Sequence, residues 1–360
     1  MDGIGGEVYH EQKPWGMFMS LNHLVFGSGL IGSYIGVALT LTNQRTLMVA
    51  RGTWLERIKQ GLSLSDVEGH LTSVGHGDVE ACVASESTYT ADVIWLTVKC
   101  TAVASIVSDL QHYVKPHSVI VCCQNGLDSD DDIRRAFPDN TVLRAMVPFN
   151  VTIEPDNRLH RGTPGALTIE HNPSAINFNR FVEQFNSPVL DLTLHNDMAS
   201  VLWSKLQLNM GNAVNALANV PVKTMLENRD YRIVVAGLME EVIAVAKAKE
   251  IKLIKLTAVQ ATMIPKILKL PTFVFKLVAN KMLKIDPTVK TSMWWDLHSG
   301  HLTEVEFLYG AVARAGKLTG VSCPLVERIC GLIHDAENAF QAQGRFPGVD
   351  GKSLREQLGL

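Results

Sequence analysis

The 360-residue chain has no Cys-x-x-Cys pair, no basic stripe, no uninterrupted apolar run of membrane-spanning length and no internal repeat. Its six cysteines, Cys82, Cys100, Cys122, Cys123, Cys323 and Cys330, do not have the spacing of a disulfide framework. That argues against a disulfide-stapled scaffold and suits a reducing compartment. Cys122 and Cys123 lie in an apolar run and read as buried strand residues. Net charge is only −3, from 33 Lys and Arg against 36 Asp and Glu, so nucleic acid is not expected as a partner. Residues 1–20 have no apolar core, and they carry Asp2, Glu7 and Glu11. They read as an N-terminal extension and not as a targeting segment, and a cytoplasmic location is expected. The stretch 264–283 is apolar, but Lys266, Lys269, Pro271, Lys276 and Lys281 interrupt it. It is expected to form a helix–turn–helix with snorkelling lysines, or an interaction surface, and no membrane partner is expected. A metal is not expected either. His298 and His301 have helical spacing but no carboxylate or thiol to complete a zinc set, and the acidic run 128–132 lacks the glycine and terminal glutamate of a calcium loop.

What is present is the composition of an ordinary globular protein, 46 % hydrophobic and 19 % charged, long enough for two domains. Over the first half, short apolar runs at 23–26, 46–50, 93–98, 118–122, 141–147 and 166–169 alternate with helical patterns at 33–42, 54–59, 103–113 and 130–137. Such alternation implies an α/β domain with a mostly parallel, doubly wound sheet. Residues 151–161 read as loop and hairpin. From about residue 197 the pattern turns helical, with helices expected over 198–217, 229–249, 256–269, 304–318 and 323–343. The expected division is an extension over 1–20, a nucleotide-binding domain over 21–196, a helical substrate domain over 197–345 and a peripheral tail over 346–360.

Gly27-Ser28-Gly29-Leu30-Ile31-Gly32 directly follows the apolar Leu24-Val25-Phe26 and precedes a helical pattern. In that setting glycines let the backbone approach a dinucleotide pyrophosphate at a helix N-terminus. The plainer reading is a glycine turn that only packs a helix on a strand. The second strand ends in Arg51, where an acidic residue would bind the ribose 2′-hydroxyl of NAD. Arginine suits a 2′-phosphate, so NADP(H) is favoured. Ligands of open α/β sheets bind outside the carboxyl ends of the strands, which singles out Lys99 and Gln124-Asn125-Gly126. Asn-Gly is also an ordinary turn signal. Further on, Trp203-Ser204-Lys205-Leu206 opens a helical stretch in which Lys205, Asn209 and Asn212 share one face amid apolar neighbours. A polar pocket facing a ligand would explain them, and so would a solvated face or helix caps. Thr303-Glu304-Val305-Glu306 has capping-box spacing, and Ser292 has the look of an N-cap.

Taken in order, the glycine motif, Val49-Ala50-Arg51-Gly52, Val98-Lys99, Gln124-Asn125-Gly126-Leu127, Trp203-Ser204-Lys205-Leu206 with Asn209, Ser292-Met293-Trp294 and the segment from Thr303 to Gly310 resemble the ketopantoate reductase (2-dehydropantoate 2-reductase) family over about residues 23–337. The resemblance implies a Rossmann-type α/β N-terminal domain, an all-helical C-terminal domain and an active cleft between them. By position, Gly27, Ser28, Gly29, Leu30, Ile31 and Gly32 would bind the pyrophosphate and Arg51 the 2′-phosphate. Lys99 and Asn125 would line the nicotinamide end, and Lys205 would be the catalytic lysine. Glu304 would orient the substrate, with Asn125, Asn209, Asn212 and Ser292 also binding it. The implied reaction is NADPH-dependent reduction of the C2 ketone of ketopantoate in pantothenate synthesis, on the route to coenzyme A, with Lys205 as general acid. The alternatives are a related reductase of another 2-keto acid or an imine, and a non-catalytic NADPH-binding sensor. The chain departs from the family pattern at Tyr309, where an Asn is usual, and at Glu306, where an Asp is usual. Asn212 and Asn215 both remain candidates for the second asparagine of the lysine helix, and the segment 263–290 is lengthened. The apolar helices of the second half leave open a homodimer interface or only an internal core.

Overall fold

The structure, a computed structural model, describes residues 21–84, 86–279 and 287–360. The extension expected over 1–20 lies outside the described residues. Twelve strands precede residue 196: β1 (Asn22–Phe26), β2 (Arg45–Val49), β3 (Leu62–Asp66), β4 (Leu71–Val74), β5 (Glu80–Cys82), β6 (Ala91–Leu96), β7 (Val114–Cys122), β8 (Thr141–Met146), β9 (Val151–Ile153), β10 (Arg158–Arg161), β11 (Leu167–Glu170) and β12 (Leu192–His195). Eight form one sheet in the order β12-β11-β8-β7-β6-β1-β2-β5. Strands β5, β2, β1, β6, β7 and β8 run parallel, and β11 turns antiparallel against β8. The central strands are apolar on both faces, as a sheet covered by helices on each side requires. Leu24, Val25, Ile94 and Trp95 are all fully buried.

The helices of this half are α1 (Leu30–Leu41), α2 (Thr53–Gln60), α3 (Val103–Gln111), α4 (Asp131–Ala136) and α5 (Ile176–Gln184). They flank the sheet, and β1 passes through the glycine turn into α1. A second, four-stranded sheet in the order β4-β3-β10-β9 packs against α1. Its β9–β10 hairpin falls in the segment read as loop and hairpin. Strands β3 and β4 were not expected, because Leu62-Ser63-Leu64-Ser65 and the exposed Leu71-Thr72-Ser73 carry little of the apolar, β-branched character that marks a strand.

From residue 198 onward every described element is helical: α6 (Met198–Asn209), α7 (Asn212–Ala218), α8 (Val222–Glu227), α9 (Arg229–Ala248), α10 (Ile264–Leu268), α11 (Thr272–Val278), α12 (Ser292–His298), α13 (Ala311–Thr319), α14 (Pro324–Gln343) and α15 (Gly351–Gln357). The long α9 runs through their core, with Val234, Leu238, Val242 and Val245 fully buried.

Four expectations are corrected. The helix expected over 198–217 breaks at Met210-Gly211, and Trp203 lies inside α6 instead of opening it. The helix expected over 256–269 is largely absent. Residues 251–256 have no regular structure, and helix begins only with a short turn at Ala261–Met263 before α10. This segment is tied to α6: the Ile254 N–H donates to Ser204 Oγ (2.8 Å), and Gln207 Nε2 donates to the Ala261 carbonyl (2.7 Å). The capping box at Thr303 does not form, because Glu306 turns instead to His334 (2.9 Å) and Glu337 accepts the Thr303 N–H (2.8 Å). The tail over 346–360 is not peripheral. It forms α15 against α9, burying Leu354 and Leu358, and Tyr231 donates to the Val349 carbonyl (2.7 Å).

Candidate active site

The glycine turn connects the end of β1 to α1. Gly27 has φ +94°, and a Cβ there would meet the Val98 backbone nitrogen at 2.7 Å, so only glycine fits. A Cβ on Gly32 would lie 2.9 Å from the Gly27 carbonyl, whereas Gly29 faces open space. The loop is therefore tight where it packs and open where a pyrophosphate would lie. α1 starts without a side-chain cap and without an acid in its first turn, which leaves the positive end of the helix to an anion. These residues fit a dinucleotide. Leu30 and Ile31 have only backbone to offer such a ligand, since both side chains pack on the sheet core. Ser28 is the exception in the motif. It is buried, its N–H donates to the Val49 carbonyl (2.9 Å), and its hydroxyl donates to the Val25 carbonyl (3.1 Å). Its side chain supports the turn.

Arg51 stands just past the end of β2, exposed, with one guanidinium nitrogen 3.2 Å from Asp109 of α3. A guanidinium has five donors, so this pair leaves most of them free for a phosphate.

The ends of β6 and β7 carry the rest of the sheet's contribution. Gln124 holds them together, its Nε2 donating to the carbonyls of Leu96 (2.9 Å) and Val98 (3.1 Å). Arg144 clamps the following turn through the Gly126 carbonyl (2.8 Å) and through Asp130 (3.2 Å). Lys99 pairs with Asp296 of α12. The Cys100 N–H donates to Glu304 Oε1 (3.0 Å), and Asn125 Nδ2 lies 3.5 Å from Glu304 Oε2. Glu304 precedes a π-helical segment, Glu306–Gly310, which leads into α13. π-segments of this kind are frequent at functional sites. Gly126 has φ +93°, and a Cβ on it would stand 3.2 Å from the Phe307 carbonyl carbon. The sheet and the helical half thus meet across this cleft in direct backbone contact.

Lys205, on α6, lines a tight cavity of about 10 Å³ that it shares with Gln124, Asn125, Met146, Leu202 and Asn209. Among the described residues no group forms a hydrogen bond or ion pair with its ammonium. Burial alone lowers its pKa from that of an ordinary lysine. A desolvated, unpaired cation is costly unless something else meets it. Burial pushes the Asp296 carboxyl up, while Lys99 opposes the shift. It pushes the Cys100 thiol far above its usual range, with Glu304 adding to the effect, so Cys100 is no nucleophile here.

The structure thus gathers Lys205, Asn125 and Asn209 in one cavity, with Glu304 joined to Asn125 at its edge. It also separates the two candidate asparagines. Asn215 is fully buried, its Oδ1 accepting from Thr291 N (3.0 Å) and its Nδ2 donating to the Val220 carbonyl (2.7 Å). Asn212 is only half-buried, and its side chain has no partner among the described residues. Thr291, not Ser292, caps α12. Ser292 is exposed in the first turn, four residues before Asp296 and so on the same face. Asp296 was not foreseen; its helical spacing from Ser292 was the signal for it. Tyr309 was foreseen only as a departure. Its hydroxyl accepts from the Ala213 N–H (2.9 Å) and donates to the Asn209 carbonyl (3.1 Å), which bridges the break between α6 and α7.

Two other features compete less well as sites. A larger groove between α9 and α14 holds Glu240 and Glu241, but these acids are committed to Lys269 and to the first N–H groups of α14. Asp66, Glu68 and His70 bring three metal-competent donors together, but Arg161 shares the Asp66 carboxylate (3.1 Å).

Comparison with known proteins agrees with this architecture. Residues 23–174 match the model of "Ketopantoate reductase PanE/ApbA", and residues 197–337 match its C-terminal counterpart. A 2-dehydropantoate 2-reductase of Streptococcus pyogenes is 24 % identical over 338 residues, covering 89 % of this chain and 99 % of that protein. The dimeric ketopantoate reductase of Staphylococcus aureus shares the fold with a TM-score of 0.68 at 20 % identity, over 89 % of this chain and 99 % of that one. D-mandelate dehydrogenase, solved with NADH and anilino(oxo)acetate, shares it with a TM-score of 0.72 at 18 % identity, over the same shares of the two chains. With an α/β half, a helical half and both family models matched in order, the chain belongs to the ketopantoate reductase family.

Proposed function

We propose that this protein reduces the C2 ketone of ketopantoate to pantoate with NADPH, Lys205 acting as general acid. The observation that carries the reading is the Lys205 ammonium, desolvated and without a partner among the described residues, in a cavity with the amide side chains of Gln124, Asn125 and Asn209. A bound reduced nicotinamide would supply the hydride. As hydride reaches C2, negative charge develops on the ketone oxygen. The Lys205 ammonium stabilises that charge and transfers its proton to it. Its lowered pKa makes it a better acid than a free lysine. Asn209, Asn125 and Asn212 offer neutral amide donors to the substrate carboxylate, and Ser292 offers a hydroxyl. Glu304 would accept a hydrogen bond from the substrate hydroxyl, leaving its present bond to the Cys100 N–H.

The backbone of residues 27–32 would hold the pyrophosphate, with Ser28 in a supporting role, and Arg51 the 2′-phosphate. Lys99 would serve the nicotinamide end after release from Asp296. A homodimer in the cytoplasm, as an enzyme of pantothenate synthesis, completes the proposal. The dimeric relative from Staphylococcus aureus supports the assembly.

The test is NADPH oxidation by the purified protein with ketopantoate, pyruvate and 2-ketoisovalerate in parallel. Turnover specific to ketopantoate is expected. NADPH binding without turnover of any of them would overturn the substrate assignment.

A further inference from the structure

Residues 251–279 carry five lysines and neither an acid nor an arginine, in a chain whose net charge is −3. Lys252, Lys255, Lys266, Lys269 and Lys276 are all exposed. Only Lys269 has an ion-pair partner among the described residues, Glu240 at 2.6 Å. The end of this segment is α11, which is anchored along one side. Phe275 is fully buried, with the Arg232 guanidinium 4.2 Å from its ring centre, and Ala279, one turn on, is buried too. Arg232 also donates to Thr272 Oγ1 (3.3 Å) and to the Leu270 carbonyl (3.0 Å).

The other side of α11 faces solvent, yet it is apolar. Phe273 is 78 % exposed, Leu277 82 % and Val278 57 %. Phe273 and Leu277, four residues apart, form one ridge with Lys276 beside it. A soluble helix normally places such residues inward. Here the inward positions are already filled, so the outer ridge contributes nothing to the fold.

We infer that α11 docks peripherally on an anionic lipid surface, with Phe273, Leu277 and Val278 entering the headgroup region and the lysines facing acidic headgroups. Apolar residues bordered by lysine are the pattern of an interfacial helix. The charge complements acidic lipid, and point-charge ammoniums suit a fluid surface. A shaped protein partner would more often be met by Arg, Tyr and Trp, which this segment lacks. No helix among the described residues is long and apolar enough to cross a membrane, so the attachment is to the surface. This revises the expectation that no membrane takes part. It stands independently of the reaction, since none of these residues lines the catalytic cavity.

The experiment is co-sedimentation of the full-length protein with phosphatidylcholine vesicles, with and without phosphatidylserine, at low and high salt. Binding is expected only to the phosphatidylserine vesicles and is expected to weaken with salt. Lys276→Glu should weaken it about fivefold or more, the scale of one basic charge near such a surface. Phe273→Glu combined with Leu277→Glu should abolish it while leaving keto acid turnover unchanged. Failure of the wild-type protein to sediment with phosphatidylserine vesicles at low salt would overturn the inference. So would full binding by the double variant. Light scattering on the same double variant supplies the third contrary result: conversion of a dimer to a monomer would make this face a contact between two copies of the chain.

Discussion

Lys205 illustrates how a site can be recognised from cost. Its neighbours on α6, Leu202 and Leu206, are apolar and buried, and the ammonium has no counter-charge among the described residues. The fold tolerates a group that would be more stable as a neutral one. Lys205→Met should therefore raise Tm while abolishing turnover, the stability–activity trade expected at a catalytic residue. A lower Tm would mean that the lysine has a structural partner. The pH dependence follows in sign. The proton donor is present below the Lys205 pKa and absent above it. That pKa is lowered by burial, so kcat/KM should fall with rising pH at a pH below the ordinary lysine value of about 10.4. A profile flat up to that value would place the proton elsewhere. At the other end of the cleft, Arg51→Asp should weaken NADPH and improve NADH relative to it, as read from the ratio of the two kcat/KM values. An unchanged ratio would remove Arg51 from 2′-phosphate binding.

At the scale of elements, the break between α6 and α7 is what the sequence hid. Lys205, Asn209 and Asn212 have the spacing of one continuous helix face, and nothing local except Gly211 announces a stop. Tyr309, 100 residues beyond Asn209, bridges the break, its buried hydroxyl taking one backbone group from each side of it. A single sequence does not display a partner so distant. Tyr309→Phe would leave the Ala213 N–H and the Asn209 carbonyl buried without a partner. It should cost about 1–3 kcal/mol in denaturant unfolding. By moving Asn209 and Asn212 it should also raise KM for the keto acid more than it lowers kcat. An unchanged KM would restrict Tyr309 to stability. The tail shows the same limit. Its glycines and charges suggest a loose end, but Leu354 and Leu358 reach the α9 core. The central parallel strands were legible because burial on both faces writes a continuous apolar run. The short strands β3, β4, β5 and β12 were not, because their residues are mixed and their pairing is set by neighbours.

At the scale of the molecule, the cleft is held nearly shut by contacts between its two halves. Lys99 pairs with Asp296, Glu304 accepts from Cys100, and Gly126 abuts the Phe307 carbonyl. On the proposed assignment Lys99 and Glu304 serve the cofactor and the substrate, so binding would exchange their contacts for others. Asp296→Asn should widen the cleft and raise the radius of gyration seen by small-angle scattering. Lys99→Ala should do the same, and the double variant should add little, because both remove one interaction. No change in either single variant would mean that the ion pair does not hold the cleft. The central claim, that the Lys205 ammonium is the proton donor of a keto acid reductase, has its most direct test in the Lys205→Ala variant, with kcat for ketopantoate measured beside the Kd for NADPH. The expected result is a loss on the order of 10²–10⁴ in kcat with NADPH binding nearly unchanged. A kcat close to that of the wild-type protein would contradict it.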